Sequence, residues 1–252
     1  MYPRKFFLFN LDPINFFTII LNLRYTLPMP MNVEYWGIRG LGHQVRCMAF
    51  YLDLEFTETR LGLEDYAAYQ TRKAEDATNG NPLVNLPNIV DGDVFVSECS
   101  ACVHYLCEKA GKPEMMTTSW QREQASSLVG DMFRQLTLPA YMTASKEALA
   151  EALNPKFEGM AKFGLAGMAK TMGDKKFLFG DSPVAVDFAF ADLLEKMLAM
   201  DEELTMTTKL VKGNATWEAY LKRFYELPRI AAFRASDKFI VRPFNSPAAQ
   251  WF

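Results

Sequence analysis

Glu34-Tyr-Trp-Gly-Ile-Arg-Gly-Leu-Gly42 is the stretch whose reading decides the fold. Val33 to Trp36 reads as a short strand ending in two aromatic residues, and Gly37 to Gly42 as a turn. Leu41, Val45, Met48, Ala49 and Leu52 then recur at helical spacing. Glu55 to Arg60 alternates enough for a second strand. About fifty residues after the opening turn comes Val84-Asn-Leu-Pro-Asn-Ile-Val-Asp-Gly92, followed by Val96-Ser-Glu-Cys-Ser-Ala101. A proline at a strand entrance, an Asp91-Gly92 hairpin signal and a second helix over Cys99 to Lys109 make up this unit, with Gly111 as the stop.

Between the two units, Gly62 to Val84 is polar and punctuated by Asn79-Gly80-Asn81-Pro82, so it reads as mostly loop with one short helix at most. After the Lys112 to Ser119 linker, strand patterns stop. Thr118 and Gln121 fit a capping box opening a long helix to about Tyr141. Asn154-Pro155 reads as a cap plus a first-turn proline. Val184 to Leu198 is nearly all apolar, the mark of a helix buried on every side. Trp217 to Tyr225 is amphipathic, and Pro228 starts another helix. The expected plan is α/β over residues 31–112, then all-α over 119–252.

Residues 1–30 stand apart. An apolar run from Phe6 to Leu23 is broken by Asn10, Asp12-Pro13, Asn15 and Asn22, whereas a spanning helix needs about twenty largely apolar residues. Leu27-Pro-Met-Pro30 is a poor cleavage site. The segment reads as an extension outside the fold, with a targeting segment as the alternative; only through it is a membrane attachment expected. The chain's formal charge is −3, residues 1–30 carry +2 (Arg4, Lys5 and Arg24 against Asp12), and the remainder therefore carries −5. Such a balance offers no nucleic-acid footprint. Half the residues are hydrophobic, enough for a substantial core. Four cysteines in 252 residues fit reduced thiols in a cytoplasmic setting rather than a disulfide scaffold.

Taken together, these motifs resemble a cytosolic glutathione S-transferase, the mu class most closely. Tyr35-Trp36-Gly-Ile-Arg-Gly-Leu41 is similar to that class's opening strand and turn, and Asn85-Leu86-Pro87 to its strand-entry motif. Val186-Asp187-Phe188 resembles the mark of its helical domain, and Arg242-Pro-Phe-Asn-Ser-Pro-Ala-Ala-Gln-Trp251 its C-terminal tail. The resemblance spans about residues 31 to 252. It implies a thioredoxin-like glutathione-binding domain followed by a helical domain, a homodimer, and conjugation of glutathione to hydrophobic electrophiles in detoxification. No cofactor is expected, glutathione being a co-substrate.

The resemblance also implies a site. Tyr35 is the catalytic donor to the glutathione thiolate, which is the nucleophilic form of a thiol that ionises near pH 8.5 when free. Trp36, Leu41, Asn85, Leu86 and Pro87 join Tyr35 in holding glutathione, with a cis bond expected before Pro87. Glu98 and Cys99 open a helix whose amides attract a carboxylate. Cys99 departs from the family's serine, a change expected to weaken the grip and expose the site to oxidation. The family's tryptophan after the second strand is missing, leaving Arg72 or Lys73 for the glycine carboxylate. Asp131 is implied to reach glutathione across the dimer. Ile38, Leu41, Arg134, Tyr141 and Phe244 are the expected electrophile pocket. Val184 stands where the family often has a capping hydroxyl, which leaves Asp187 to satisfy the helix start alone.

Other readings of the same residues remain. Cys99-Ser-Ala-Cys102 fits a glutathione-dependent thiol-disulfide oxidoreductase, and a non-catalytic ligand-binding relative is compatible with the fold. His104 with Cys99, Cys102 and Cys107 lies along one helix, which cannot wrap a metal tetrahedrally, so no metal site is expected there or at His43.

Overall fold

The computed structural model describes residues 30–78, 83–116 and 119–251. The extension, Thr118 and the Asn79 to Pro82 punctuation lie outside these residues, apart from Pro30. The first half runs β1 (Met31–Trp36), α1 (Gly42–Tyr51), β2 (Phe56–Leu61), α2 (Tyr66–Thr78), β3 (Asn88–Asp91), β4 (Val94–Ser97) and α3 (Cys99–Lys109). The sheet order is β2-β1-β3-β4. β1 pairs parallel with β2 from Met31 opposite Phe56 to Trp36 opposite Leu61, as a strand–helix–strand crossover requires. On its other side β1 runs antiparallel to β3, with Val33 opposite Ile89. β3 and β4 form a hairpin closing at Asp91 opposite Val94. Val33 and Ile89 are fully buried beneath α1 and α3, whose Val45, Met48, Cys102 and Leu106 complete the core of this half.

The Gly62 to Val84 expectation needs correcting. A single 3-10 turn at Leu63–Asp65 leads into α2, a helix of 13 residues. Tyr69 is its only buried side chain and the helix is polar overall, so no apolar run marks it in the sequence.

Beyond α3 the described chain is helical: α4 (Trp120–Met142), α5 (Lys146–Gly159), a π-helical stretch (Met160–Leu165), α6 (Ala166–Met172), α7 (Ala185–Glu203), α8 (Ala215–Tyr225) and α9 (Pro228–Arg234). This is a thioredoxin-like α/β region followed by an all-α region. Ser119 caps α4 by accepting the Arg122 amide. Asn154-Pro155 starts no helix: α5 is capped by Ser145 and runs through both, while the Asn154 amide oxygen accepts from Thr207. A favourable cap and first-turn proline are thus overridden by a helix already running, whose Leu149, Leu153 and Phe157 are fully buried. α7 is the central helix, with Phe190, Leu193, Leu194 and Met197 all fully buried. Val184 gives its start no side-chain cap, and the buried Asp187 accepts from the Val184 and Leu178 amides and from the Tyr220 hydroxyl.

Candidate functional site

β1 delivers Tyr35 to the floor of the site, and two glycines let the following turn close over it. A Cβ at Gly40 would lie 2.6 Å from the Tyr35 hydroxyl oxygen, and Gly40 has φ +41, which also favours glycine. A Cβ at Gly42 would press on the ring itself. The closed turn brings the Leu41 amide 3.1 Å from the Tyr35 hydroxyl, to which it donates. Tyr35 is 7 % exposed. Burial pushes its pKa up to about 12, against the lowering effect of the Leu41 amide, so the hydroxyl keeps its proton at neutral pH.

The turn is fixed from two further sides. The Arg39 and Gly40 amides donate to the carbonyls of Pro243 and Phe244 in the C-terminal tail. From α1, the buried Arg46 donates to the carbonyls of Trp36 and Ile38. The tail is tied in turn to α4, since the Ser246 amide donates to the Tyr141 hydroxyl at 2.9 Å.

Tyr35, Trp36, Ile38 and Tyr141 come together around one cavity of about 580 Å³, completed by Tyr66 and the tail's prolines. Among the described residues, no charged side chain lines it. Trp36 stacks on Tyr66 with ring centroids 6.1 Å apart and meets Tyr69 edge-on. Leu41, Cys99, Asp131 and Arg134 line a second cavity of about 590 Å³, on the other side of the turn. A larger cavity, about 920 Å³, lies between Tyr51, Arg122 and Arg229 and is lined by none of the expected site residues.

The remaining expected residues are placed as follows. The Leu86–Pro87 bond is cis, and the Glu98 amide donates to the Pro87 carbonyl. Glu98 precedes α3 with φ 74. Lys73 donates to the Asn85 side-chain oxygen at 3.1 Å, and the Asn85 amide donates to Glu98 at 2.7 Å, so these three form one polar chain. Arg72 points elsewhere, forming a 2.7 Å ion pair with the buried Glu34. Asp131 and Arg134 pair with each other on an exposed face of α4. Phe244 does not line the first cavity. It is 3 % exposed, stacked on Trp251 and covered by Arg39 and Arg242, because the tail turns that ring inward while Pro243 and Ser246 face the cavity. Arg134 likewise lines the second cavity and not the first.

Cys99 also differs from expectation. Its thiol donates to the Leu41 carbonyl and the Gln44 side chain, and burial pushes its pKa up to about 12. A helix start favours a thiolate by about 1 kcal/mol at most when exposed, and desolvation outweighs that here. Cys102 is likewise pushed up to about 12 by burial, so the pair lacks the low-pKa thiol that a redox centre uses. Among the described residues no group of three or more His, Cys, Asp and Glu is placed to hold a metal, and no helix is long and apolar enough to cross a membrane.

Arg46, Gln44 and Tyr69 were missed by the sequence reading. All three sit at ordinary helical positions, where nothing in the local sequence marks them.

No protein-family model matches the chain. Rat glutathione S-transferase Mu 1 (Rattus norvegicus) is 26% identical over 228 residues, covering 88% of this chain and 99% of its own. The human Mu 2 enzyme (Homo sapiens) is 25% identical with the same coverage. Among solved structures, the glutathione S-transferase Blo t 8 superposes with a TM-score of 0.70 at 24% identity, covering 87% of this chain and 98% of that one. The fold is that of a glutathione S-transferase. Prostaglandin synthase D of Nilaparvata lugens has it as well, with a TM-score of 0.61 at 20% identity over 83% of this chain and 98% of that one. The rat and human relatives match this chain at about a quarter identity over 88% of its length.

Proposed function

We propose that the protein is a mu-like glutathione transferase that conjugates reduced glutathione to hydrophobic electrophiles, a detoxification activity of the cytoplasm, and that it works as a homodimer without a cofactor. The observation that carries this reading is the Tyr35 hydroxyl: it accepts the Leu41 amide, keeps its own proton, and faces a cavity lined by aromatic, aliphatic and uncharged groups. Residues 31–112 form the glutathione-binding domain in this reading and residues 119–252 the domain that completes the electrophile site.

Glutathione lies along the cis Leu86–Pro87 segment, its γ-glutamyl end at Glu98 and the α3 amides, its glycine carboxylate toward Lys73. The thiol proton leaves to solvent, and the Tyr35 hydroxyl donates a hydrogen bond to the thiolate left behind. An anion stabilised in this way is populated at neutral pH. The thiolate attacks the electrophilic carbon in the uncharged cavity, where a carbon–sulfur bond forms. A halide or similar group then leaves with its electron pair, or, in an addition, the neighbouring carbon takes up a proton. Tyr141, opposite Tyr35, has a hydroxyl hydrogen to give to a leaving group or developing oxyanion.

The test is retention on immobilised glutathione followed by a conjugation assay with a chlorinated nitrobenzene. Specific elution by free glutathione together with enzyme-dependent conjugate formation is expected. Passage through the resin with no rate above the uncatalysed reaction would refute the reading.

A further inference from the structure

Arg46 is 1 % exposed, on the inner face of α1, directly beneath the turn that carries the candidate chemistry. Its guanidinium divides its donors between two carbonyls on either side of Gly37: Nη1 to Ile38 at 3.0 Å and Nη2 to Trp36 at 3.1 Å. Its carbon Cζ lies 5.7 Å from the centroid of the Tyr35 ring. Nε lies 3.3 Å from a carboxylate oxygen of Glu58 on β2, as an ion pair without an aligned hydrogen bond. A rigid fork of donors on two carbonyls fixes a backbone turn in a way that a lysine's point charge cannot.

The turn geometry matters because the Leu41 amide meets the Tyr35 hydroxyl only when residues 37–41 are closed. The charge matters because little water screens it: Arg46 and Tyr35 are both buried, and the cavity above holds no charged lining. Among the described residues the other titratable groups facing Tyr35 are Cys99 from α3, whose thiol burial keeps protonated, and Tyr141 from α4. Around Arg46 itself stand Glu58 and, paired with Glu58 at the surface, Arg60. Glu58 therefore opposes what Arg46 does.

We infer that Arg46 is a positioning residue for glutathione activation: it clamps the 37–41 turn so that the Leu41 amide and the Tyr35 hydroxyl meet, and it supplies a buried positive charge beneath Tyr35 that favours the bound thiolate, with Glu58 setting how much of that charge is felt. The inference rests on the glutathione transferase reading above and names a residue that acts through Tyr35 and the turn.

The two partners should move the same quantity in opposite directions. The apparent ionisation of enzyme-bound glutathione is read from thiolate ultraviolet absorbance and from kcat/KM against pH, on the full chain. Arg46→Met should shift the midpoint up by about one unit, with a fall of about tenfold in rate at neutral pH. Glu58→Gln, which keeps the side chain's shape, should shift it down by about half a unit. Arg46→Lys restores charge without the fork, so it should recover the midpoint while kcat stays reduced. A purely structural arginine would lower thermal stability and leave every midpoint in place, and that result overturns the inference, as does a Glu58→Gln midpoint that stays put or rises. Should Arg46→Met fail to fold, Glu58→Gln and Arg46→Lys decide the matter. A wild-type protein that binds no glutathione would instead overturn the underlying reading and this inference with it.

Discussion

A phenol that accepts one amide and still has its proton to give can stabilise an anion without becoming one, and Tyr35 is such a group. Tyr35→Phe keeps the ring on which Gly40 and Gly42 close, so the turn should survive and glutathione should still bind. The conjugation rate at neutral pH should fall by about a hundredfold, the usual cost of deleting one donor to a reacting anion. Without the donor the bound thiol should titrate closer to its free value near 8.5, so the deficit must shrink as pH rises past that point. Rates of both forms between pH 6 and 10 test this, and a pH-independent, near wild-type rate in the variant would remove Tyr35 from the chemistry. Tyr35 was legible because an aromatic strand end followed by spaced glycines is a local pattern. Arg46 was not, since its partners are carbonyls 8 and 10 positions upstream and a carboxylate on another strand. The environment of Cys99 was hidden for a related reason: a helix start is visible in the sequence, and the burial that pushes this thiol's pKa up is not.

The elements were legible wherever apolar residues mark a helix, as a stripe in α1 and α8 or a continuous run in α7, and illegible in the polar α2. There, Ala67, Ala68, Gln70, Arg72, Lys73 and Ala74 are good helix formers, yet with Tyr69 alone buried no apolar stripe announces the helix. The helix matters because it separates two basic residues that the sequence left equivalent. Neighbours on a helix lie about 100° apart around its axis. Arg72 accordingly reaches Glu34, and Lys73 reaches the Asn85–Glu98 chain. Lys73→Met should raise the glutathione KM several-fold, with kcat and thermal stability close to wild type. Arg72→Met should act the other way round. It strands the buried Glu34 carboxylate with Asn88 alone, costing about 1 kcal/mol of stability because the lost partner is half exposed, with a near-normal KM. Steady-state kinetics and thermal melts on the two variants separate these roles, and a KM that responds to Arg72 instead would reverse the assignment.

At the scale of the whole molecule, β4 leaves one sheet edge unpaired among the described strands, with Val94 and Phe95 exposed beside Val90. An apolar edge of this kind is usually covered, and the proposed homodimer, with Asp131 reaching the partner's glutathione, should appear as twice the chain mass in light scattering at micromolar protein. A fully active monomer would dismiss it. The two halves of the chain are also joined by a buried polar cluster, and that junction should set the acid limit of the fold. Arg39 from the 37–41 turn is fully buried and pairs with Asp192 and Glu195 of α7, Lys196 pairs with Asp192, and His43 packs beside them against Phe233 and Phe239. Burial, aided by Arg39, pushes His43 down to about 3. A histidine of unfolded pKa about 6.5 then binds protons more readily in the unfolded chain. Its contribution is complete above about pH 6.5 and drains away as pH falls toward the folded value, by about 1.4 kcal/mol per unit. Burial alone would raise Asp192 and Glu195, but the cations beside them outweigh it and hold both below the usual carboxylate range. Their contribution is present above an unfolded pKa of about 4 and is lost as pH falls further. Both effects have the same sign, so thermal melts should be level above neutrality, decline from about pH 6.5, and steepen below about 4. His43→Gln has no proton to take up, so it should lose the first decline and keep the second. If that variant follows the wild-type curve between pH 6.5 and 5, the acid sensitivity comes from elsewhere and His43 is not held neutral at the junction.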